Sequence, residues 1–124
     1  MSTHKNAFSR YLPVNAEALL WEIYCVDAGY TLVPPGAAYP PAPRDHPREY
    51  AATVTTGRVL REFQIVYITA GSGWFKDEHA ARRPVVAGDI FMLFPGVRHA
   101  YSSNVETGWQ EYWVGFSGEH AHRL

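Results

Sequence analysis

The sequence predicts an all-β domain, built as a small antiparallel sandwich or barrel. From residue 60 onwards, short apolar segments recur roughly every 8 to 12 residues and are separated by glycine and proline turns. A chain of 124 residues has the size of one ordinary domain. Hydrophobic residues make up 47% and charged residues 19%, which is enough apolar material for a core. These observations favour a single folded β domain.

Composition excludes several classes of function. The formal net charge is −1, so the chain lacks the excess of Lys and Arg that binding nucleic acid by itself requires. Cys25 is the single cysteine, which excludes an internal disulfide and a cysteine-based zinc site. No segment has the apolar run of a signal peptide or the length of a membrane span. We expect a cytoplasmic location and no membrane partner.

The first half of the chain is predicted to hold an arm, two strands and a loop. Residues 1–16 are mostly polar and are interpreted as a mobile N-terminal arm, followed by the barrel over residues 17–118. Residues 19–26 predict a strand, and a turn at Asp27-Ala28-Gly29 leads to a second strand at 30–33. Residues 34–50 carry six prolines and predict a long surface loop.

The second half predicts a series of strands and then a helix. Residues 60–69 form a strong strand pattern, and the glycine turn at 70–73 predicts a hairpin whose return strand starts at Trp74. Residues 119–124 resemble the start of a C-terminal helix or linker. The further predicted strands lie at residues 84–86, 90–94, 98–102 and 109–116.

The last strand, WQEYWVGF, separates into two faces because side chains alternate along a strand. Trp109, Glu111 and Trp113 share one face, and the opposite face beyond Gln110 is interpreted as ordinary core. Two hypotheses remain open for the first face. It is either a solvated face with an ion pair, or a pocket wall in which indoles contact sugar C–H groups and the carboxylate accepts bonds from hydroxyls. The opposite face comprises Gln110, Tyr112, Val114 and Phe116.

The stretch GDIFMLFPGVRHAY, residues 88–101, resembles the C-terminal motif of the metal-binding cupin superfamily, whose histidine matches His99. The resemblance places the other metal ligands near Arg58 and Leu60 and at Gln64, and none of these is a good ligand. One imidazole cannot hold a metal ion that needs three or four donors. We therefore expect no metal and no other cofactor. His99 is interpreted as a turn residue with a local hydrogen bond, or alternatively as part of a pocket.

Three segments, FQIVYITAGSGWF, GDIFMLFPGVRHAY and WQEYWVGFSG, resemble the N-terminal sensor domain of AraC-type transcription regulators. The resemblance covers about residues 60–118. It implies a small antiparallel cupin-like (jelly-roll) barrel that binds a small effector, often a sugar, without catalysis. It also implies that DNA is bound only by a separate C-terminal domain with two helix-turn-helix motifs, which this sequence does not contain.

The same resemblance suggests which residues bind the effector. Tyr101 and Trp113 match sugar-contacting positions of the family, and Glu111 replaces a family histidine, which puts arabinose in doubt. A family arginine is matched by Arg58 or Arg61, with Arg58 favoured. A carboxylate in the pocket disfavours acidic sugars, so we expect a neutral one. The candidate ligand-binding residues are Arg58, His99, Tyr101, Trp109 (near the pocket rim), Glu111 and Trp113.

Three further hypotheses are kept. One is a metal-dependent cupin enzyme, such as a sugar isomerase or a dioxygenase, in which Glu111 and His99 would act as an acid–base pair. Another is a ligand-free dimerisation or scaffold domain, although we expect only weak homodimerisation. The third concerns the arm, in which Phe8 and Tyr11 would form a lid over the bound effector.

Overall fold

The computed structural model describes residues 7–37 and 57–123, which form antiparallel strands and two short helices. The predicted loop at 34–50 lies mostly outside the described residues. The elements are β1 (Ala7–Tyr11), α1 (Ala16–Leu19), β2 (Tyr24–Val33), β3 (Phe63–Asp77), β4 (Ala80–Val86), β5 (Ile90–Leu93), β6 (His99–Ser103), β7 (Trp109–Ser117) and α2 (Glu119–Arg123).

One long strand, β3, joins the two sheets of the barrel. Its first half pairs with β7 and β5, and its second half pairs with β4 and β6. The remaining order is β1-β2-β7-β3, and every pairing is antiparallel. This arrangement confirms the predicted all-β fold.

The predicted hairpin turn at residues 70–73 is wrong, because β3 continues through it to Asp77. The register against β7 shifts between Ile68 and Ala70, so the strand bends at a bulge where it leaves one sheet for the other. Gly71 has a φ of +83°, and a Cβ there would overlap the backbone of Gly108. Gly71 therefore allows the strand to bend and lets the two backbones approach each other closely.

The predicted turn at Asp27-Ala28-Gly29 is also wrong, since these residues lie inside the continuous strand β2. A Cβ at Gly29 would overlap the Trp113 ring, so the glycine provides room for an indole. Upstream, the strand predicted from residue 19 begins only at Tyr24, and the short helix α1 ends at Leu19. Asn15 caps this helix by accepting a hydrogen bond from the backbone N–H of Ala18 at 2.8 Å.

The N-terminal segment contributes an edge strand that the sequence did not predict. Strand β1 pairs along β2 from Ala7 opposite Thr31 to Tyr11 opposite Asp27. Phe8 stacks on Tyr30, with ring centroids 6.1 Å apart, on the outer side of the sheet. Phe8 therefore does not lie over the barrel interior, and the lid hypothesis fails for this residue.

The hydrophobic core fills the space between the two sheets. Phe91 on β5 packs against Phe75 on β3 and Tyr101 on β6. Its ring centroid lies 4.7 Å from that of Phe75 and 5.1 Å from that of Tyr101. Burying side chains of this size contributes roughly 1.5–3 kcal/mol each. The buried cluster comprises Val33, Val66, Ile68, Phe75, Val85, Phe91, Leu93, Tyr101, Trp109 and Trp113.

The short helix α2 follows β7, as predicted for the C-terminal residues. The backbone N–H of His120 donates to the carbonyl of Glu22 at 2.9 Å, and the His122 ring packs against Phe63 at 5.1 Å. Among the described residues, no helix is long and apolar enough to cross a membrane.

Candidate ligand site in the barrel interior

Strand β7 directs Trp109, Glu111 and Trp113 into the barrel. Glu111 is 1% exposed, and both tryptophans are buried. The hypothesis of a solvated face therefore fails for this strand. The opposite face is not ordinary core, since Tyr112 is 44% exposed and Val114 similarly so. The sheets close over the face that carries the carboxylate.

The strand register arranges the interior side chains in rows across β2, β7 and β3. One row runs from Thr31 through Glu111 to Ile68. Two residues further along β2, Gly29 is opposite Trp113. The next row contains Asp27, Gly115 and Gln64. Polar groups thus occupy two levels of the interior, and the Trp113 level separates them.

Arg58 connects several of the polar side chains. Its Nη2 donates to the hydroxyl of Tyr101 at 2.8 Å and to Oε1 of Gln64 at 3.4 Å. Its Nε donates to Nε2 of His99 at 3.1 Å. A pair of backbone hydrogen bonds between Arg58 and His99, at 2.9 and 3.0 Å, fixes the guanidinium beside the imidazole. Of the two arginines considered, Arg58 is buried and Arg61 is exposed.

The hydrogen bonds of His99 determine its protonation state. Because Nε2 accepts from Arg58, the ring proton lies on Nδ1, which is 3.3 Å from the carbonyl of Val97. Burial lowers the pKa of His99 to about 4, and the positive charge of Arg58 adds to this effect. The ring is therefore neutral near pH 7. The prediction that His99 lies in a turn is wrong, because it is the first residue of strand β6; it makes the local bond to Val97 and also belongs to the interior network.

Two interior polar residues, Asp27 and Thr31, were not identified from the sequence. Asp27 Oδ1 and Thr31 Oγ1 are buried and have no hydrogen-bond partner within the two described segments. Burial and the nearby Glu62 raise the pKa of Asp27, while Gln64 and Arg58 oppose the shift. Alternation along β2 would have placed both residues on one face, had β2 been predicted as one strand; Thr31 is opposite Glu111, and Asp27 is opposite Gly115.

Trp109 lies deeper than the predicted position at the pocket rim. It is 2% exposed, and its ring centroid lies 6.1 Å from that of Tyr101. A Cβ at Gly73 would overlap the Trp109 indole, so this glycine makes room for the ring. Trp109 therefore packs against Tyr101 inside the barrel.

A cavity of about 230 Å³ opens beside the Arg58 network. The residues that line it are Gly57, Lys76, Asp77, Glu78, Arg98, His99 and Ala100. His99 therefore contacts both this cavity and the interior network.

The residues at the cupin metal positions do not fit a metal ion. Arg58, Gln64 and His99 do converge, but the guanidinium already occupies the lone pair of His99 Nε2 and bonds Gln64 Oε1. A fixed positive charge between these atoms repels a divalent cation. In the part of the chain that the structure describes, no cluster of three His, Cys, Asp or Glu side chains could hold a metal.

The two-sheet antiparallel barrel has the cupin-like fold, with a buried polar network in its interior. A family model described as "AraC-like ligand binding domain" matches residues 48–124, which is more than half of the chain. The chain belongs to this family of ligand-binding domains.

Solved structures show the same fold. The chain is similar to YhaK from Escherichia coli (16% identity, TM-score 0.60), covering 90% of this chain and 44% of that one. It is similar to a Cupin 2 conserved barrel domain protein from Salinispora arenicola (20% identity, TM-score 0.52), covering 98% and 85%. A predicted oxalate decarboxylase from Thermotoga maritima is also similar (22% identity, TM-score 0.52), covering 88% and 78%. No curated protein matches the sequence significantly.

Proposed function

We propose that this domain is a non-catalytic sensor, which binds a neutral sugar in the barrel interior as the effector of a transcription regulator. The observation that carries the proposal is the buried polar set formed by Arg58, His99, Tyr101 and Glu111. Burying so many polar groups is costly for a domain whose only task is to fold. A ligand rich in hydroxyl groups would use them as donors and acceptors.

Each side chain has a chemical role in this proposal. Arg58 and Tyr101 donate to sugar oxygens, and the carboxylate of Glu111 accepts from a pair of hydroxyls. The indoles of Trp109 and Trp113, on either side of Glu111 along β7, present apolar surface to sugar C–H groups. The buried carboxylate disfavours acidic sugars, because two like charges repel in a site of low dielectric constant.

The proposal assigns effector binding and DNA binding to two separate domains. The barrel binds the effector in the cytoplasm, and a separate C-terminal domain with helix-turn-helix motifs binds DNA. The family match to a ligand-binding domain supports this division, and so does the net charge of −1. A domain without excess positive charge contributes little to phosphate binding.

The alternative function is that of a metal-dependent enzyme, such as a sugar isomerase or a dioxygenase. Its support is the structural similarity to the predicted oxalate decarboxylase. However, both ring nitrogens of His99 face hydrogen-bond partners, so the ring would have to leave Arg58 or Val97 to act as an acid or a base. Titration of the chelator-treated protein with Mn²⁺, Fe²⁺ or Zn²⁺ tests this alternative, and stoichiometric binding would favour it.

A thermal-shift screen of the chelator-treated protein against neutral and acidic sugars tests the sensor proposal. A ligand at about one hundred times its dissociation constant adds roughly 2.7 kcal/mol, which raises the melting temperature by several degrees. We expect a shift with one neutral class, and its loss in Glu111→Gln and Trp113→Ala. Glu106→Gln, at an exposed glutamate in a turn, is the matched control. Equal shifts in Glu111→Gln and Trp113→Ala would contradict the assigned site.

A further inference from the structure

The cavity of about 230 Å³ beside His99 lies at one end of the smaller sheet, in which β3 pairs with β4 and β6. On β3, Lys76 is opposite Ala100 and Asp77 is opposite His99. Because side chains alternate along a strand, these two pairs lie on opposite faces of the sheet. The cavity therefore wraps around the end of the sheet. We call it the sheet-end cavity and define it by its four charged residues, Lys76, Asp77, Glu78 and Arg98.

The turn after β3 holds the two carboxylates of this cavity in place. Oδ1 of Asp77 accepts from the backbone N–H of His79 at 2.9 Å, and Oε1 of Glu78 accepts from the backbone N–H of Arg98 at 3.0 Å. The backbone N–H of Glu78 donates in return to the carbonyl of Arg98 at 3.0 Å. Within the two described segments, these bonds use one oxygen of each carboxylate. The second oxygen of each can accept from a ligand.

Lys76 and Arg98 bring two positive charges to the same cavity. Nη1 of Arg98 donates to the carbonyl of Gly57 at 3.3 Å, which holds the guanidinium at the cavity wall. Among residues 7–37 and 57–123, the Lys76 ammonium forms no ion pair with Asp77 or Glu78. The lining thus carries two positive and two negative formal charges, which cancel in sum but are not paired with each other.

A lining of this kind selects a ligand that carries both signs of charge. A simple anion would be attracted by the two cations but repelled by the two carboxylates, and a simple cation would meet the reverse. A neutral sugar would displace water from charged groups without supplying a charge in return. A zwitterion satisfies both sets at once, because its carboxylate accepts from the guanidinium and the ammonium of the wall, and its own ammonium donates to the wall carboxylates.

The size of the sheet-end cavity limits the ligand to a small molecule. A volume of about 230 Å³ corresponds to roughly eight water molecules at ~30 Å³ each. Pockets for drug-sized ligands begin at about 300 Å³. Gly57 and Ala100, the two uncharged residues beside His99 in the lining, add little side-chain volume of their own. The space suits a molecule of the size of a free amino acid.

We propose that the sheet-end cavity binds a free α-amino acid through its ammonium and carboxylate groups. This site is separate from the one in the barrel interior, since Arg58, Tyr101 and Glu111 do not line the cavity. His99 borders both, because it lines the cavity and accepts from Arg58. The proposal does not depend on sugar binding in the interior.

Calorimetric titration of the 124-residue chain with each standard L-amino acid tests the proposal, at concentrations up to the millimolar range. We expect binding by at least one amino acid. The N-acetyl derivative of that amino acid lacks the ammonium, and its amide lacks the carboxylate. Each should bind about tenfold more weakly or less, which corresponds to the loss of one charge-assisted contact. No binding by any amino acid would overturn the proposal, and so would equal affinity for the two blocked derivatives.

Two variants locate the bound amino acid. Lys76→Gln and Glu78→Gln each remove one charge from the cavity and should weaken binding about fivefold or more. Glu78→Gln retains the side-chain oxygen that accepts from Arg98, so the turn should keep its structure. Melting curves should show that both variants fold.

Matched controls remove the same charges elsewhere. Arg82→Gln, at an exposed arginine of β4 that stacks on Trp74, and Glu106→Gln, at an exposed glutamate in the turn before β7, both lie outside the cavity. They should bind the amino acid like the unchanged chain. Unchanged affinity in both Lys76→Gln and Glu78→Gln would overturn the proposal, because the amino acid would then bind at another place.

Discussion

Arg58 donates a hydrogen bond from Nε to Nε2 of His99 over 3.1 Å, and this contact makes the imidazole an acceptor. Protonation of His99 would place a second positive charge beside the guanidinium and would remove the lone pair that the bond requires. The interior network is therefore intact only while His99 is neutral. The low pKa of His99, about 4, reflects its burial first and Arg58 second.

The first prediction concerns stability against pH. The pKa of His99 falls from 6.5 to about 4 on folding, so the unfolded chain binds a proton between these values that the folded chain does not. The free energy of unfolding should decrease as pH falls below 6.5 and should level off below about 4, with a total loss of about 3 kcal/mol from this residue. Urea denaturation at a series of pH values measures this free energy of unfolding.

His99→Gln provides the comparison for that measurement. Its side-chain amide can still accept from Arg58 but does not titrate, so its stability should depend less on pH over this interval. The raised pKa of Asp27 acts in the opposite direction, since the folded state then favours the protonated carboxyl, and this contribution is common to both proteins. Parallel pH profiles for the two proteins would show that His99 is not the titrating group.

The second prediction concerns the loss of the guanidinium. Arg58→Ala should lower the free energy of unfolding by about 3–5 kcal/mol, because buried acceptors on His99 and Gln64 lose a charged donor. Arg61→Ala, at an exposed arginine nearby, should change it by less than about 0.5 kcal/mol. Chemical denaturation measures both. Equal effects in the two variants would contradict the structural role of Arg58.

The third prediction compares the stability effects of two tyrosines, Tyr101 in the barrel interior and Tyr112 on the outer face. Tyr101→Phe removes the hydroxyl that accepts from Arg58 at 2.8 Å and leaves a buried donor with one partner fewer. It should lower stability by about 1–3 kcal/mol, whereas Tyr112→Phe on the exposed outer face should be close to neutral. A larger loss in Tyr112→Phe, measured by the same denaturation, would count against the assigned burial.

Alternation along β7 correctly predicted which side chains share a face. It placed Trp109, Glu111 and Trp113 on one face, and that face is the interior. The opposite face was misassigned as core because Tyr112 and Val114 are apolar. Apolar character alone does not distinguish a buried sheet face from an exposed one.

The sequence did not reveal the rest of the candidate site, because the role of two glycines depends on residues that are distant in the chain. Gly29 and Gly71 resemble turn signals in the sequence, yet one makes room for Trp113 and the other allows β3 to bend past Gly108. These contacts join residues far apart in the chain, so local pattern could not reveal them. The interrupted prediction for β2 then concealed that Asp27 and Thr31 share a face.

The last prediction concerns the N-terminal segment, which forms an edge strand along five residues of β2. Deleting residues 1–12 should lower the free energy of unfolding by several kcal/mol, because it removes the β1 hydrogen bonds and exposes Tyr30, on which Phe8 stacks. Deleting residues 1–6 retains β1 and is the matched control. Denaturation of both truncated proteins distinguishes a structural strand from a detachable arm. Equal stability of the two would show that β1 contributes little, and a loss confined to effector affinity in the longer deletion would revive the lid hypothesis.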